Sequence, residues 1–106
     1  MIPVSNLSPD DDLFQYSNPR LAQLKLRTYL NDKNVVLYKS TNKNKKYMII
    51  TPDGHKVHFG QMLFLDFLKH GDEQRRQSYL KRTAGIKGDW KQNKYSPNNL
   101  SRNVLW

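Results

Sequence analysis

The stretch Tyr47-Met48-Ile49-Ile50-Thr51-Pro52-Asp53-Gly54-His55-Lys56-Val57-His58-Phe59 decides the fold class. Its first five residues are aromatic, β-branched or long apolar side chains that suit a pleated, half-buried surface. Its last five alternate polar and apolar, as a strand with one buried face does. Between them Pro52 pre-sets the first turn position and Gly54 accepts a positive φ, so the stretch reads as an antiparallel hairpin. Upstream, Val35-Val36-Leu37-Tyr38 offers a third strand. The polar, lysine-rich residues 40–46 that join it to the hairpin are expected to form a flexible, exposed loop.

Helices flank this sheet. Asn18-Pro19 reads as an N-cap followed by a first helical residue. From there Leu21, Ala22, Leu24, Leu26, Tyr29 and Leu30 give an apolar side over residues 19–30. On the other flank, Met62-Leu63-Phe64-Leu65-Asp66-Phe67-Leu68 is too apolar for the surface and is expected to pack over residues 62–70 as a short helix or turn. Asp72 then opens a helix over 72–83, with Asp72-Glu73 at its start and Lys81-Arg82 at its end, an order that complements the helix dipole. Gly85 and Gly88 interrupt the chain. Ser96-Pro97 repeats the capping signal and starts a closing helix through Leu100, Val104, Leu105 and Trp106.

The expected architecture is therefore α+β: a three-stranded antiparallel sheet (35–38, 47–51, 55–59) covered by two or three helices, with an irregular C-terminal tail. Residues 1–17, which hold the acidic cluster Asp10-Asp11-Asp12, are expected as an extended or flexible arm beside a single basic domain over 18–106. With 106 residues, the chain has room for one domain. Its apolar share is 37% and its mean hydropathy −0.85, so the core must be modest. Twelve aromatics, two Trp, six Tyr and four Phe, offset this by burying large areas.

Charge is the strongest global signal. Eighteen Lys and Arg stand against nine Asp and Glu, a formal net charge of +9. Residues 1–32 hold three basic and four acidic side chains, a net of −1. Residues 33–106 hold fifteen and five, a net of +10. A positive field over most of a domain attracts phosphate backbones. The absence of cysteine removes disulfides, thiolate nucleophiles and sulfur-ligated zinc. No apolar run approaches the ~20 residues that span a bilayer, and the opening residues lack the features of a signal peptide. The expectation is a soluble protein of a cell interior, or one packaged inside a particle, with no membrane partner.

Three basic groups are candidates for phosphate contact. Lys39, Lys43, Lys45 and Lys46 cluster on one loop, as phosphate neutralisation requires. At 100° per residue Arg75, Ser78, Tyr79 and Arg82 share a helix face, so two arginines can grip phosphates with Tyr79 beside a sugar or base. Lys91 and Lys94 are interleaved with Trp90 and Tyr95, a mixture of cations and rings that suits stacked bases. Arg76 is expected to lie buried by its stem and to pair with Asp66 or Asp72.

The histidines offer less. His55 and His58 lie three apart on a strand and so face opposite ways, a poor metal pair. His70 with Asp66 has helical i+4 spacing, and adding Arg76 gives a His-Asp-Arg set of the kind a small nuclease uses. A structural role for these residues is expected instead, with no catalysis, no metal and no cofactor.

Lys46-Tyr47-Met48, Val57-His58-Phe59-Gly60, Asp66-Phe67 with His70, Asp72-Glu73, Arg76, Tyr79 and Arg82 form a recognisable series. With Gly88-Asp89-Trp90, Tyr95-Ser96-Pro97, Leu100-Ser101 and Leu105-Trp106, it resembles a family of short basic proteins of large double-stranded DNA viruses. These are phycodnaviruses and mimiviruses, with relatives in large tailed phages. The similarity covers about residues 18–106 and implies a viral gene product, either a virion component or a factor for genome handling. The expected function is nucleic-acid binding through phosphate contacts, DNA more than RNA. The alternative is a minor capsid-associated protein that meets an acidic virion protein.

Overall fold

The hairpin forms as its residues require. In the computed structural model, which describes residues 1–106, β2 (Lys45–Ile50) and β3 (Lys56–Gln61) pair antiparallel, with Tyr47 opposite Phe59 and Ile49 opposite Val57. Gly54 takes φ 88° in the turn between them. The third strand, β1 (Tyr38–Lys39), pairs with the other edge of β2, giving the order β1-β2-β3. The protein is α+β, with a three-stranded antiparallel sheet and five α-helices.

β1 is shorter and later than the 35–38 expected. Helix α2 (Pro19–Leu30) and the N-terminal segment take the backbone groups that a longer strand would use. The Gln23 side chain accepts from the Leu37 N–H at 2.8 Å and donates to the Val35 carbonyl at 3.0 Å. The Val4 N–H takes the Leu37 carbonyl at 2.9 Å. Buried backbone groups must be paired somewhere, and here side chains of a helix supply the partners.

Residues 1–17 are not a free arm. Pro3 bridges Tyr38, and the Lys39 N–H donates to the Ile2 carbonyl at 2.9 Å. A 3₁₀ turn (Val4–Asn6) and α1 (Leu13–Tyr16) follow. Val4, Leu7 and Leu13 are buried in the same core as Leu26, Leu37, Tyr47 and Phe59. The three buried apolar residues are irregularly spaced and leave no periodicity to read, which is why sequence pattern places this segment outside the fold.

The flanking helices are capped as the sequence implies. Asn18 accepts from the Leu21 N–H, and Asn31 closes α2 in the left-handed region at φ 51°. α2 buries Ala22, Gln23 and Leu26, while Leu21 and Leu24 stay exposed. Helix α4 (Glu73–Ala84) is capped by Asp72, whose side chain accepts from the Gln74 and Arg75 amides.

The tail does more of the covering than α4. α5 (Pro97–Leu100), capped by Ser96, runs into a π-helical turn (Ser101–Leu105), and together they pack against α2 and β3. Leu100, Val104 and Leu105 are fully buried. Gly60 makes room for this closure. It has φ 79°, and a Cβ there would meet Leu105 Cδ1 at 2.8 Å.

The run from Met62 to Leu68 departs furthest from expectation. Only Phe67–His70 is helical (α3). Leu63, Phe64 and Leu65 are 71%, 64% and 40% exposed, so the segment is a projecting turn rather than a core element.

Candidate functional site

The turn after β3 organises the basic surface. Its base is fixed on both sides. The Met62 N–H donates to the Asn44 carbonyl at 3.0 Å, and the Asp66 N–H donates to the Tyr16 carbonyl at 3.1 Å. Beneath it, Lys46 Nζ donates to Asp66 Oδ2 at 3.1 Å and to the Tyr16 carbonyl at 3.3 Å. Between these anchors Leu63 adopts φ 73°. A leucine in that region costs about 1 kcal/mol or more, and such strain persists only where the surroundings impose it.

Phe64 lies where three surface hollows meet. The first, about 610 Å³, is also lined by Arg75, Tyr79, Arg82, His70 and Trp106. The second is lined by Lys43 and Lys45 together with Lys39 and Asp12. The third runs past Gly60 to Ile86, which is half exposed, and to Trp106. The structure thus brings Lys43 and Lys45 to one flank of Phe64, and Arg75 and Arg82 to the other.

Aromatic rings form a continuous series along the first hollow. The Tyr79 and Trp106 rings stack with centroids 4.1 Å apart and planes 10° from parallel. His70 lies 5.1 Å from Trp106, and Phe67 meets His70 edge-on. Guanidiniums close the series, Arg82 over Tyr79 at 5.6 Å and Arg76 over Phe67 at 5.4 Å. Each such contact of cation and ring favours a fixed arginine position.

Several candidate residues are placed otherwise than the sequence implies. Lys46 is not on an exposed loop. It is 2% exposed on β2, with its charge spent on Asp66. Burial lowers the Lys46 pKa and raises that of Asp66, and in each case the partner's charge only partly opposes the effect. Lys39 is paired with Asp11 at 2.7 Å. Burial of Asp11 works to raise its pKa, but Lys39 and the Leu13 amide outweigh this and hold the carboxyl below its usual range. Arg76 pairs with neither Asp66 nor Asp72. Its Nη1 donates to Glu73 at 3.0 Å and its Nε to the Trp106 carbonyl at 2.7 Å.

Lys91 and Lys94 line none of the three hollows around Phe64. Each lies over its neighbouring ring, Lys91 above Trp90 at 5.5 Å and Lys94 above Tyr95 at 5.2 Å. Arg75 and Arg82 stand on the shared face that helical spacing implies, and both are exposed. Arg75 keeps only a 4.0 Å contact with Asp72, whose carboxylate is already engaged by amides of its own helix.

His70 is held in place by its surroundings. Its Nδ1 accepts the Asp72 N–H at 2.9 Å, which requires the neutral ring with the proton on Nε2. Nε2 is buried without a partner. Burial lowers the His70 pKa and Arg75 adds to this, against the opposing pull of Asp72 and Asp66. Asp66, His70 and Arg76 are each committed to contacts that build the fold. His55 pairs with Asp53 and His58 with Ser40, on separate sides of the hairpin.

The residues missed by sequence reasoning are Leu63 and Phe64. Seven residues with one polar member show neither a 3.6 nor a 2.0 period, and that lack of a buried face was the available signal.

A model described as a family of unknown function (DUF5754) matches residues 35–83. The matched span is a little under half of the chain. It includes the sheet, the projecting turn and nearly all of α4, hence Lys46 with Asp66 and the cations flanking Phe64. It leaves out Trp106 and the tail that the wider resemblance takes in. No curated protein and no solved structure matches the chain.

Proposed function

We propose that this protein binds nucleic acid, chiefly through phosphate contacts and with little sequence preference. The observation that carries the reading is the convergence of Lys43, Lys45, Arg75 and Arg82 around one exposed aromatic turn. All four reach solvent, and none has a close acidic partner of the kind that occupies Lys39 or Lys46. Clustered, unneutralised cations of this sort displace counterions from a phosphate backbone. Backbone contacts carry no base information, so affinity should vary little among sequences.

Binding rather than catalysis is the role that the neighbouring groups support. Asp66 is paired with Lys46, His70 accepts from the Asp72 amide and Arg76 donates to Glu73 and Trp106, contacts that support a structural role for the set. The resemblance to proteins of large DNA viruses supports a place in genome packaging or handling. That placement is a proposal alongside the binding itself.

Fluorescence anisotropy with unrelated oligonucleotides tests the reading. Affinity should be similar for all of them and fall steeply, by on the order of 10²-fold or more, between about 50 and 200 mM salt. An absence of binding at low salt would remove the nucleic-acid reading. The basic face would then be tested against acidic virion proteins.

A further inference from the structure

We propose that Phe64 is a stacking residue for an unpaired base, which makes single-stranded nucleic acid the preferred ligand. The inference rests on the nucleic-acid reading above and adds to it the class of strand and the residue that meets the base.

Three observations carry it. Phe64 and Leu63 are the most exposed large apolar residues after the strand, yet the turn that holds them is anchored by Asn44, Tyr16 and the buried Lys46 with Asp66. The tip is therefore an apolar group presented on a fixed support. Leu63 is held at φ 73°, so the geometry that projects the tip persists against its own backbone preference. Finally, charge lies on both flanks: Lys43 and Lys45 on one side, Arg75 and Arg82 on the other.

That arrangement fits an occupant that is apolar and flat in the middle and anionic on either side. A single strand has this form, a base whose π-face is free and phosphates before and after it. A ring with flanking cations is the means by which sequence-independent single-strand binders hold their ligand. A duplex keeps its base faces covered, and opening one step costs binding free energy. The two acidic groups nearest the hollows do not cancel the field. Asp72 lines the first hollow with Arg75 and Arg82, and Asp12 the second with Lys39, Lys43 and Lys45, so cations outnumber carboxylates in each. The Tyr79 and Trp106 rings line the same hollow but are stacked on each other, with Arg82 over Tyr79, which leaves Phe64 as the exposed ring of the hollow.

Oligonucleotides carrying one 2-aminopurine, whose fluorescence reports stacking, provide the test. Deoxy and ribo single strands and the matching duplex are titrated at low salt. The wild-type protein should bind the single strands at least about tenfold more tightly than the duplex and change the probe's fluorescence. The deoxy and ribo arms show which backbone is preferred. Phe64→Ala should keep the thermal transition, lose the fluorescence change and bind about tenfold more weakly, in line with one lost stacking contact. Its salt slope should be unchanged. Phe64→Trp should restore the binding.

Tighter binding to the duplex, or a fluorescence change that survives Phe64→Ala, overturns the proposal while leaving phosphate binding in place. Failure of every oligonucleotide to bind overturns both, and the exposed turn then belongs to a protein contact.

Discussion

Lys46 Nζ lies 3.1 Å from Asp66 Oδ2, and the two side chains are 2% and 1% exposed. This pair ties β2 to the residue that caps α3, and through the Tyr16 carbonyl it also holds α1. Breaking a buried pair leaves a charge without a partner in a dry site, at a cost of about 3–5 kcal/mol. Lys46→Ala should therefore destabilise by about that amount in urea unfolding, whereas Lys45→Ala should change stability by less than about 0.5 kcal/mol. Replacing both charges at once, Lys46→Met with Asp66→Leu, should recover much of the loss. Equal effects of Lys45→Ala and Lys46→Ala would place Lys46 back on the exposed loop.

The first seventeen residues should behave as part of the fold. Leu13 is fully buried among Leu26, Leu37 and Tyr47, and Tyr47 Oη donates to Ser17 Oγ at 2.7 Å. Leu13→Ala should cost about 2–5 kcal/mol, the range for deleting a buried leucine side chain. A change below about 0.5 kcal/mol, the level of an exposed substitution, would restore the picture of a free arm.

Local chemistry made some elements legible. Pro52 with Gly54, Asn18 with Pro19, Asp72 and Ser96 with Pro97 each mark a turn or cap where one is found. What sequence pattern cannot supply is long-range pairing. Gln23 satisfying Leu37, Val4 meeting Leu37 and Lys46 reaching Asp66 all depend on residues at least fourteen apart. The candidate site divides in the same way. Helical spacing is enough to put Arg75, Tyr79 and Arg82 together, because they share one element. The exposure of Phe64 depends on anchors drawn from α1 and the β1 to β2 connection, which no local period records.

Stability should fall below neutral pH because of His70. Its pKa in the fold is lowered from 6.5, chiefly by burial, while the unfolded chain keeps the ordinary value. The unfolded state therefore binds a proton first as pH drops, and the contribution present above about pH 6.5 is lost on the way down. Protonation also removes the Nδ1 acceptor from the Asp72 amide, at the cap of α4. His70→Ala should lower stability at pH 7 and flatten its decline between about pH 6.5 and 5 relative to wild type. Thermal melts across that range decide the matter. An unchanged slope in the mutant would show that His70 is not the group involved.

Salt dependence should separate the cations by position. Lys43 is exposed and Lys45 half-buried beside Phe64, and Arg75 and Arg82 stand across the turn from them. Each phosphate contact contributes about 0.9 to the slope of log K against log salt on a duplex, or about 0.7 on a single strand. Removing Lys43 with Lys45, or Arg75 with Arg82, should lower the slope by up to twice that amount and leave the melting temperature within a few degrees. Lys91→Ala with Lys94→Ala should lower it less, since these side chains lie over Trp90 and Tyr95, away from the three hollows. Arg82→Ala will also expose one face of Tyr79, so Arg82→Lys is the cleaner control for charge. Were all three pairs to reduce the slope equally, binding would follow the net +10 of residues 33–106 as a whole. The site around Phe64 would then have no special standing.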